Sequence, residues 1–442
     1  MADIKIPKRI STALINSLAS GVVPRVGLEY IAVGRKNEVA ALLGDLENVG
    51  EGGASFRFVV GRYGSGKSFL LQLLRNYAME RNFAVADVDL SPERRLAGTG
   101  GSGLGTYREL MRSLSTKTRP DGGALAPILE RWISGVQAAV VKENGLTPNS
   151  PQFDAKVEAR ILEVINSMQG MVHGFDFATV LTTYWRGHRQ GDDSMKEAAL
   201  RWFRGEFANK TEARGFLNIR VIVDDDSWYD YLKLFASFVS SIGYKGLLLL
   251  IDEGVNLYKI TNMVSRQNNF EKVLTMFNDT MQGKAEHLGI LLGGTPQFVE
   301  DPRRGLYSYE ALRSRLAESR FAKDGMRDMA GPIIRLETLT AEEIFLLLKR
   351  LTQVHALHHG YQSKLTDTDL QSFLQEVVTR LGAADLLTPR EVVRDFVALL
   401  NILQQNPGAT FQQFVKSPDF KPSVQSKDPD VEASSEFADF KV

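Results

Sequence analysis

The sequence contains no cysteine. Disulfides, thiolate-bound zinc and cysteine nucleophiles are therefore excluded. Charge of one sign is also lacking, since 53 Lys and Arg face 53 Asp and Glu. A balanced chain exerts no long-range pull on polyanions, so any nucleic-acid contact needs a local basic patch. Long apolar runs are missing too. The strongest, LLLLI at 247–251, is far shorter than the ~20 residues that span a bilayer. The opening decapeptide, MADIKIPKRI, has no apolar export segment. These shortages predict a soluble, cytoplasmic protein with no membrane partner. What remains is an ordinary globular composition, 43% apolar and 24% charged over 442 residues. That length suits two to three domains of about 150 residues each.

Residues 1–50 read as a helical lead-in, with Leu14, Leu18 and Val22 at helical spacing and Pro24 interrupting. Residues 51–337 read as an α/β core. Its five strand-length apolar runs lie at 56–60, 83–90, 247–251, 290–292 and 333–336. The first two flank a glycine-rich loop and an apolar helix, a βαβ unit that requires parallel pairing. A helical insertion is expected at about 107–215, projecting from the sheet, with Trp132, Trp185 and Trp202 among its packing anchors. Residues 338–416 read as a helical lid domain. Residues 417–442 hold prolines, serines and acids and read as a disordered tail. Two readings of its Phe437 and Phe440 stand: a docking segment for a partner groove, or an inert terminus.

Residues 61–68, GRYGSGKS, fit G-x-x-x-x-G-K-[ST] at every position. In Gly61, Arg62, Tyr63, Gly64, Ser65 and Gly66, the glycines let successive N–H groups turn inward around phosphates. Lys67 sets a point charge on the β- and γ-phosphates, and Ser68 gives its hydroxyl to Mg²⁺. The following helix aims its N-terminus at the anion. The cofactors expected are ATP and Mg²⁺. A chance glycine-rich turn is the plain alternative, but the strand before and the apolar helix after are the context that the motif demands.

A phosphate loop needs a carboxylate at a second strand end, and Asp252-Glu253 follows the run at 247–251. Asp252 would hold Mg²⁺ through water, and Glu253 would polarise the attacking water. The plain alternative is a solvated strand end. Adjacent Asp and Glu argue for hydrolysis, since a small-molecule kinase must exclude water. Lys67 and Asp252 stand 185 positions apart, which is what calls for the insertion. Guanine recognition is not expected: Asn209-Lys210-Thr211-Glu212 has Glu where that motif needs Asp.

These residues resemble an AAA+ ATPase of the origin-recognition and STAND-like kind over roughly 30–400. The resemblance implies an AAA+-type parallel five-stranded P-loop sheet flanked by helices, with a C-terminal helical lid. Gly34-Arg35 with Glu38 resembles the box near the adenine, which would make Arg35 a nucleotide contact. Thr295 matches the sensor-1 position at the γ-phosphate or lytic water. Leu312-Arg313-Ser314-Arg315-Leu316 resembles the arginine-finger box, with Arg315 the first candidate and Arg313 the reserve. Thr388-Pro389-Arg390 resembles the sensor-2 helix start, placing Arg390 toward the γ-phosphate. For the finger candidates and for Arg390 an ordinary surface role is the competing reading.

Longer stretches are more specific. GVVPRVGLEYIAVGR (21–35), FRFVVGRYGSGKSFLLQLLR (56–75), DLSPERRLAGTGG (89–101) and TYRELMRSL (106–114) are similar to the DUF2791 P-loop proteins, the BREX-type ATP-binding family. That resemblance implies the ATPase component of a multigene bacterial anti-phage system, acting as an oligomer. Its partner would be a helicase or other DNA-processing protein. In one such cluster, the Shango type, the ATPase is encoded beside a TerB-like protein and a DEAD/DEAH helicase. DNA contact could be direct or through the partner. The alternative is a nucleotide-gated switch or scaffold with slow turnover, recruiting partners through its insertion and tail. A small-molecule kinase has only the phosphate loop in its favour.

Three signals carry less. Gly98-x-Gly100-x-x-Gly103 spells a dinucleotide motif, but Pro92 and Glu93-Arg94-Arg95 separate it from the strand. It reads as a mobile loop. His355, His358 and His359 have helical spacing but lack the acid of a zinc helix, and read as a solvated face. Arg94-Arg95 and Arg303-Arg304 are short basic pairs that either touch DNA phosphates or are solvated.

Overall fold

The computed structural model describes residues 5–98, 100–317, 328–381, 388–417, 420 and 422. The chain divides into two units: one takes residues 37–61 and 74–335, the other residues up to 36, 62–73 and from 336 onward.

The first unit is built on a five-stranded parallel sheet flanked by helices, the α/β fold expected. Its strands are β1 (Ala54–Gly61), β2 (Ala84–Asp89), β3 (Leu247–Asp252), β4 (Leu288–Gly294) and β5 (Ile333–Leu336), in the order β2-β3-β4-β1-β5. Phe56 and Leu249 both stand opposite Ile290, and Ala86 opposite Leu249. Buried on every residue, β3 reads as an unbroken apolar run, as interior parallel strands do. Because β1, β3 and β4 run parallel, Gly61, Asp252 and Gly294 end at one edge of the sheet. Open α/β sheets bind ligands outside that carboxyl edge.

The helices Leu125–Asn144, Phe153–Ser167, Gly174–Gln190, Asp193–Phe203 and Lys210–Leu217 fill the expected insertion. They pack on one another and, through Trp132 and Phe177, on Phe238 of the helix Trp228–Ser241. Trp132, Phe177 and Trp202 lie in one continuous apolar core with Phe56, Val88 and Leu249. Trp132 meets Phe238 edge-to-face at 5.2 Å, and Phe177 meets Phe203 at 5.1 Å. Helices with such wide apolar faces must bury them, and here they do so against one another and against the helix Trp228–Ser241. Asn209, the start of the guanine look-alike, caps the helix Lys210–Leu217 by accepting from Glu212 N.

The glycine-rich segment is fastened at residues 96–97 and at 101 and 104. The Asp225 carboxylate accepts from Gly101 N at 2.7 Å and Leu104 N at 2.8 Å, at the start of the helix Ser102–Ser113. Asn269 Oδ1 accepts from Leu96 N and Ala97 N, each at 2.9 Å, and its Nδ2 donates to Ala97 O at 2.9 Å. A dinucleotide fold would seat its pyrophosphate at that helix start, and here the chain's own carboxylate occupies it.

In the second unit, the helix Lys8–Ala19 shares a core with Ala341–His359, Asp367–Leu381 and Pro389–Gln405, through Leu14, Leu18, Leu348, Phe373 and Phe396. The lead-in is therefore split: residues up to 36 group with the C-terminal helices, and residues 37–50 belong to the sheet's unit. Thr340 and Glu343 form the capping box that opens Ala341–His359. The solvated histidine face is corrected at His355, which is buried. Its Nδ1 lies 2.9 Å from Tyr361 Oη and its Nε2 3.0 Å from Asn401 Oδ1. Among the described residues no group of three or more His, Asp or Glu side chains could hold a metal ion. Phe437 and Phe440 lie outside the described residues.

Candidate functional site

β1 runs straight into the glycine loop, and the helix Lys67–Glu80 follows. Gly64 and Gly66 take φ of +77° and +89°, the left-handed region that side chains resist. Ser65 N donates to Arg62 O at 3.1 Å, and Leu70 N donates to Gly66 O at 2.9 Å, so the helix grows directly from the loop. Lys67 Nζ donates to Arg62 O at 3.0 Å, which lays its ammonium over the loop. Ser68 stands in the helix's first turn.

Three side chains from outside the motif hold this loop, all within the second unit. Arg35, nearly buried, donates to Ser65 O at 2.8 Å and to Glu337 O at 2.6 Å. Arg390 donates to Tyr63 Oη at 2.9 Å and to Gly21 O at 2.8 Å. Thr388 packs so close that a Cβ on Gly64 would stand 3.2 Å from its Cβ and methyl carbon. Arg35 and Arg390 both reach the glycine loop, Arg35 through backbone and Arg390 through Tyr63. Thr388 went unassigned in the sequence. It stands at the start of a helix whose first residue is Pro389, a position that draws no attention to its side chain. Two buried hydroxyls here, Ser65 Oγ and Thr388 Oγ1, have no hydrogen-bond partner among the described residues.

The acidic strand end belongs to the first unit. Asp252 is buried, and its Oδ1 accepts from Glu253 N at 2.8 Å. Glu253 is exposed and has φ of +58°. A non-glycine residue in that region costs roughly 1–2 kcal/mol. The turn is held on both sides. Asn256 N donates to Glu253 O at 2.9 Å, Asn256 Nδ2 donates to Leu90 O at 2.8 Å, and Gly254 N donates to Gly293 O at 2.8 Å. Asn256 was unreadable as a site residue because its distant partner, Leu90 O just past β2, lies far back along the chain.

Thr295 follows β4 and caps the short helix Pro296–Glu300, its Oγ1 accepting from Phe298 N at 3.4 Å. At that length the bond is weak. Arg315 donates through Nε to Asn278 Oδ1 at 2.9 Å and through Nη1 to Ala311 O at 2.8 Å. Arg313 is exposed, with its guanidinium 3.9 Å from Glu310. Of the basic pairs, Arg94 lies 3.5 Å from Glu109, and the backbone N–H groups of Arg303 and Arg304 donate to Asp301.

Among the described residues no helix is long and apolar enough to cross a membrane. The family model described as BREX system ATP-binding protein BrxC/D matches residues 6–419. No curated protein matches the chain.

Proposed function

The chain belongs to this BREX ATP-binding family, and from that premise we propose an Mg²⁺-dependent ATP hydrolase serving as the ATPase of a bacterial anti-phage system. Binding of ATP comes with the family. The hydrolytic step is our reading of the residues.

In that reading the amides of 61–68, Lys67 and the start of the helix Lys67–Glu80 grip the triphosphate. Ser68 and Asp252 would hold Mg²⁺: a hydroxyl and a carboxylate are the hard oxygen donors that this ion takes, with water and phosphate completing the set. Bound there, the ion offsets charge on the phosphate oxygens. Glu253 takes a proton from water as the water oxygen bonds to the γ-phosphorus. The bond from phosphorus to the ADP oxygen breaks, and ADP leaves with its charge near Lys67. Thr295 orients the water. Arg315 from a neighbouring copy, or Arg313 in its place, stabilises the equatorial oxygens. The helices of 338–416 act as a lid, with Arg390 sensing the γ-phosphate. The partners are a further copy of the chain and proteins of the same defence cluster, a helicase or TerB-like protein among them, with DNA reached directly or through them.

One observation carries this reading: the left-handed glycines at 64 and 66 with Lys67 at the head of a helix. Lys67→Ala should abolish tight ATP binding. Glu253→Gln should leave binding intact and slow phosphate release by roughly 10²- to 10⁴-fold, the range for a general base. Turnover at the wild-type rate in Glu253→Gln would remove the water-activating role.

The Arg390–Tyr63 bond and the Thr388–Gly64 packing favour a second reading, a nucleotide-gated switch. A ligand that reshapes the loop would shift the helix Pro389–Gln405 within its unit. Strong stimulation of turnover by DNA supports the motor. Slow, DNA-indifferent turnover with nucleotide-dependent partner binding supports the switch.

A further inference from the structure

One nitrogen of the Arg35 guanidinium, Nη2, donates to two carbonyls, Ser65 O and Glu337 O. That nitrogen carries two hydrogens in the guanidinium plane, so each carbonyl receives one. In a trans peptide the C=O and N–H point in opposite directions. Holding the Ser65 carbonyl toward Arg35 therefore turns the next amide, Gly66 N–H, away from it. Gly66 belongs to the run whose amides face the phosphates. Its φ of +89° leaves the peptide free to rotate unless something fixes it.

The other side of this segment is tied to the first C-terminal helix. Gly34 has φ of +69°, and a Cβ there would stand 2.5 Å from the carboxyl carbon of Glu343. The Glu343 carboxylate is itself fixed, accepting from Thr340 N at 2.9 Å in the capping box. Arg350, farther along Ala341–His359, donates to Ala32 O. Residues 32–35 are thus stapled to that helix while Arg35 holds the loop.

We infer that Arg35 is a positioning residue, which sets the Ser65–Gly66 peptide for phosphate and links its orientation to the helix Ala341–His359. The inference rests on the phosphate-loop reading. It differs from the expectation that Arg35 lies against the adenine, because it makes Arg35 matter to the phosphates and not to the nucleoside.

The test compares Mg²⁺-ATP with Mg²⁺-tripolyphosphate, which has no nucleoside, by titration calorimetry. Lys67→Ala is the control: if it keeps wild-type tripolyphosphate affinity, the phosphate-loop reading itself fails. With that control lost as expected, Arg35→Gln should weaken both ligands by the same factor, about tenfold, as for a lost charge-assisted hydrogen bond. An unchanged melting temperature would separate this from general damage. Loss for ATP alone would place Arg35 at the nucleoside and overturn the inference, and so would no loss for either ligand. Should Arg35→Gln fold poorly, Arg35→Lys keeps the charge without the planar pair of hydrogens and should show the same equal loss. Gly34→Ala should also weaken tripolyphosphate, with losses that are non-additive with Arg35→Gln. Additive losses would break the link to the helix.

Discussion

Glu253 shows what a residue can and cannot reveal on its own. Its place after an apolar strand and an aspartate was legible, because a carboxylate there has a chemical use. Its left-handed backbone was not, since nothing in its neighbours demands φ of +58°. Asn256, on the next turn, imposes that geometry through contacts with the 253 carbonyl and with β2's end. His355 makes the same point for charge. Helical spacing put it beside His358 and His359, but only packing shows that it is buried against Asn401. Burial holds its pKa below the usual histidine value; the two neighbouring histidines push the same way, and the Asn401 bond opposes. The folded chain therefore resists a proton that the unfolded chain accepts near pH 6.5. Stability from this group is full above that pH and is lost as pH falls below it. The melting temperature of wild type should drop more than that of His355→Gln between about pH 7.5 and about pH 5.5. Equal drops would show that another group sets the acid limit.

The elements divide by how local their causes are. The five strands were readable as apolar runs, because parallel strands covered on both faces need no alternation. The helix Ala341–His359 was readable at its start from Thr340 and Glu343, three positions apart and bonded to each other. The loop at 98–103 was not. Its fasteners, Asp225 and Asn269, lie far along the chain, so the sequence showed only glycines. Asp225 satisfies two N–H groups at the start of Ser102–Ser113 and faces the positive end of that helix. Asp225→Ala should cost about 1–2 kcal/mol, the range for losing a cap. Amide exchange should quicken first at Gly101 and Leu104, ahead of the sheet. Unchanged protection at those two amides would mean that the loop is held by something else.

At the scale of the whole molecule, the question is whether one chain completes its own site. Arg315 is the residue that decides it. Its guanidinium is engaged by Asn278 and Ala311 of its own chain. Both partners are neutral oxygens on an exposed surface, and such bonds contribute only about 0.5–1.5 kcal/mol. A transferring phosphoryl group on an adjoining copy would outbid them, because it offers several charged acceptors. Mixing tests this directly. Lys67→Ala lacks the nucleotide grip but keeps Arg315; Arg315→Ala keeps the grip but lacks the guanidinium. Each alone should turn over little ATP. In an equal mixture, random head-to-tail assembly pairs an intact grip with an intact arginine at about a quarter of interfaces. Phosphate release should then recover to about a quarter of the wild-type rate. A mixture no more active than its parts would confine Arg315 to its own chain and leave Arg313, exposed two residues earlier, as the arginine to mix next.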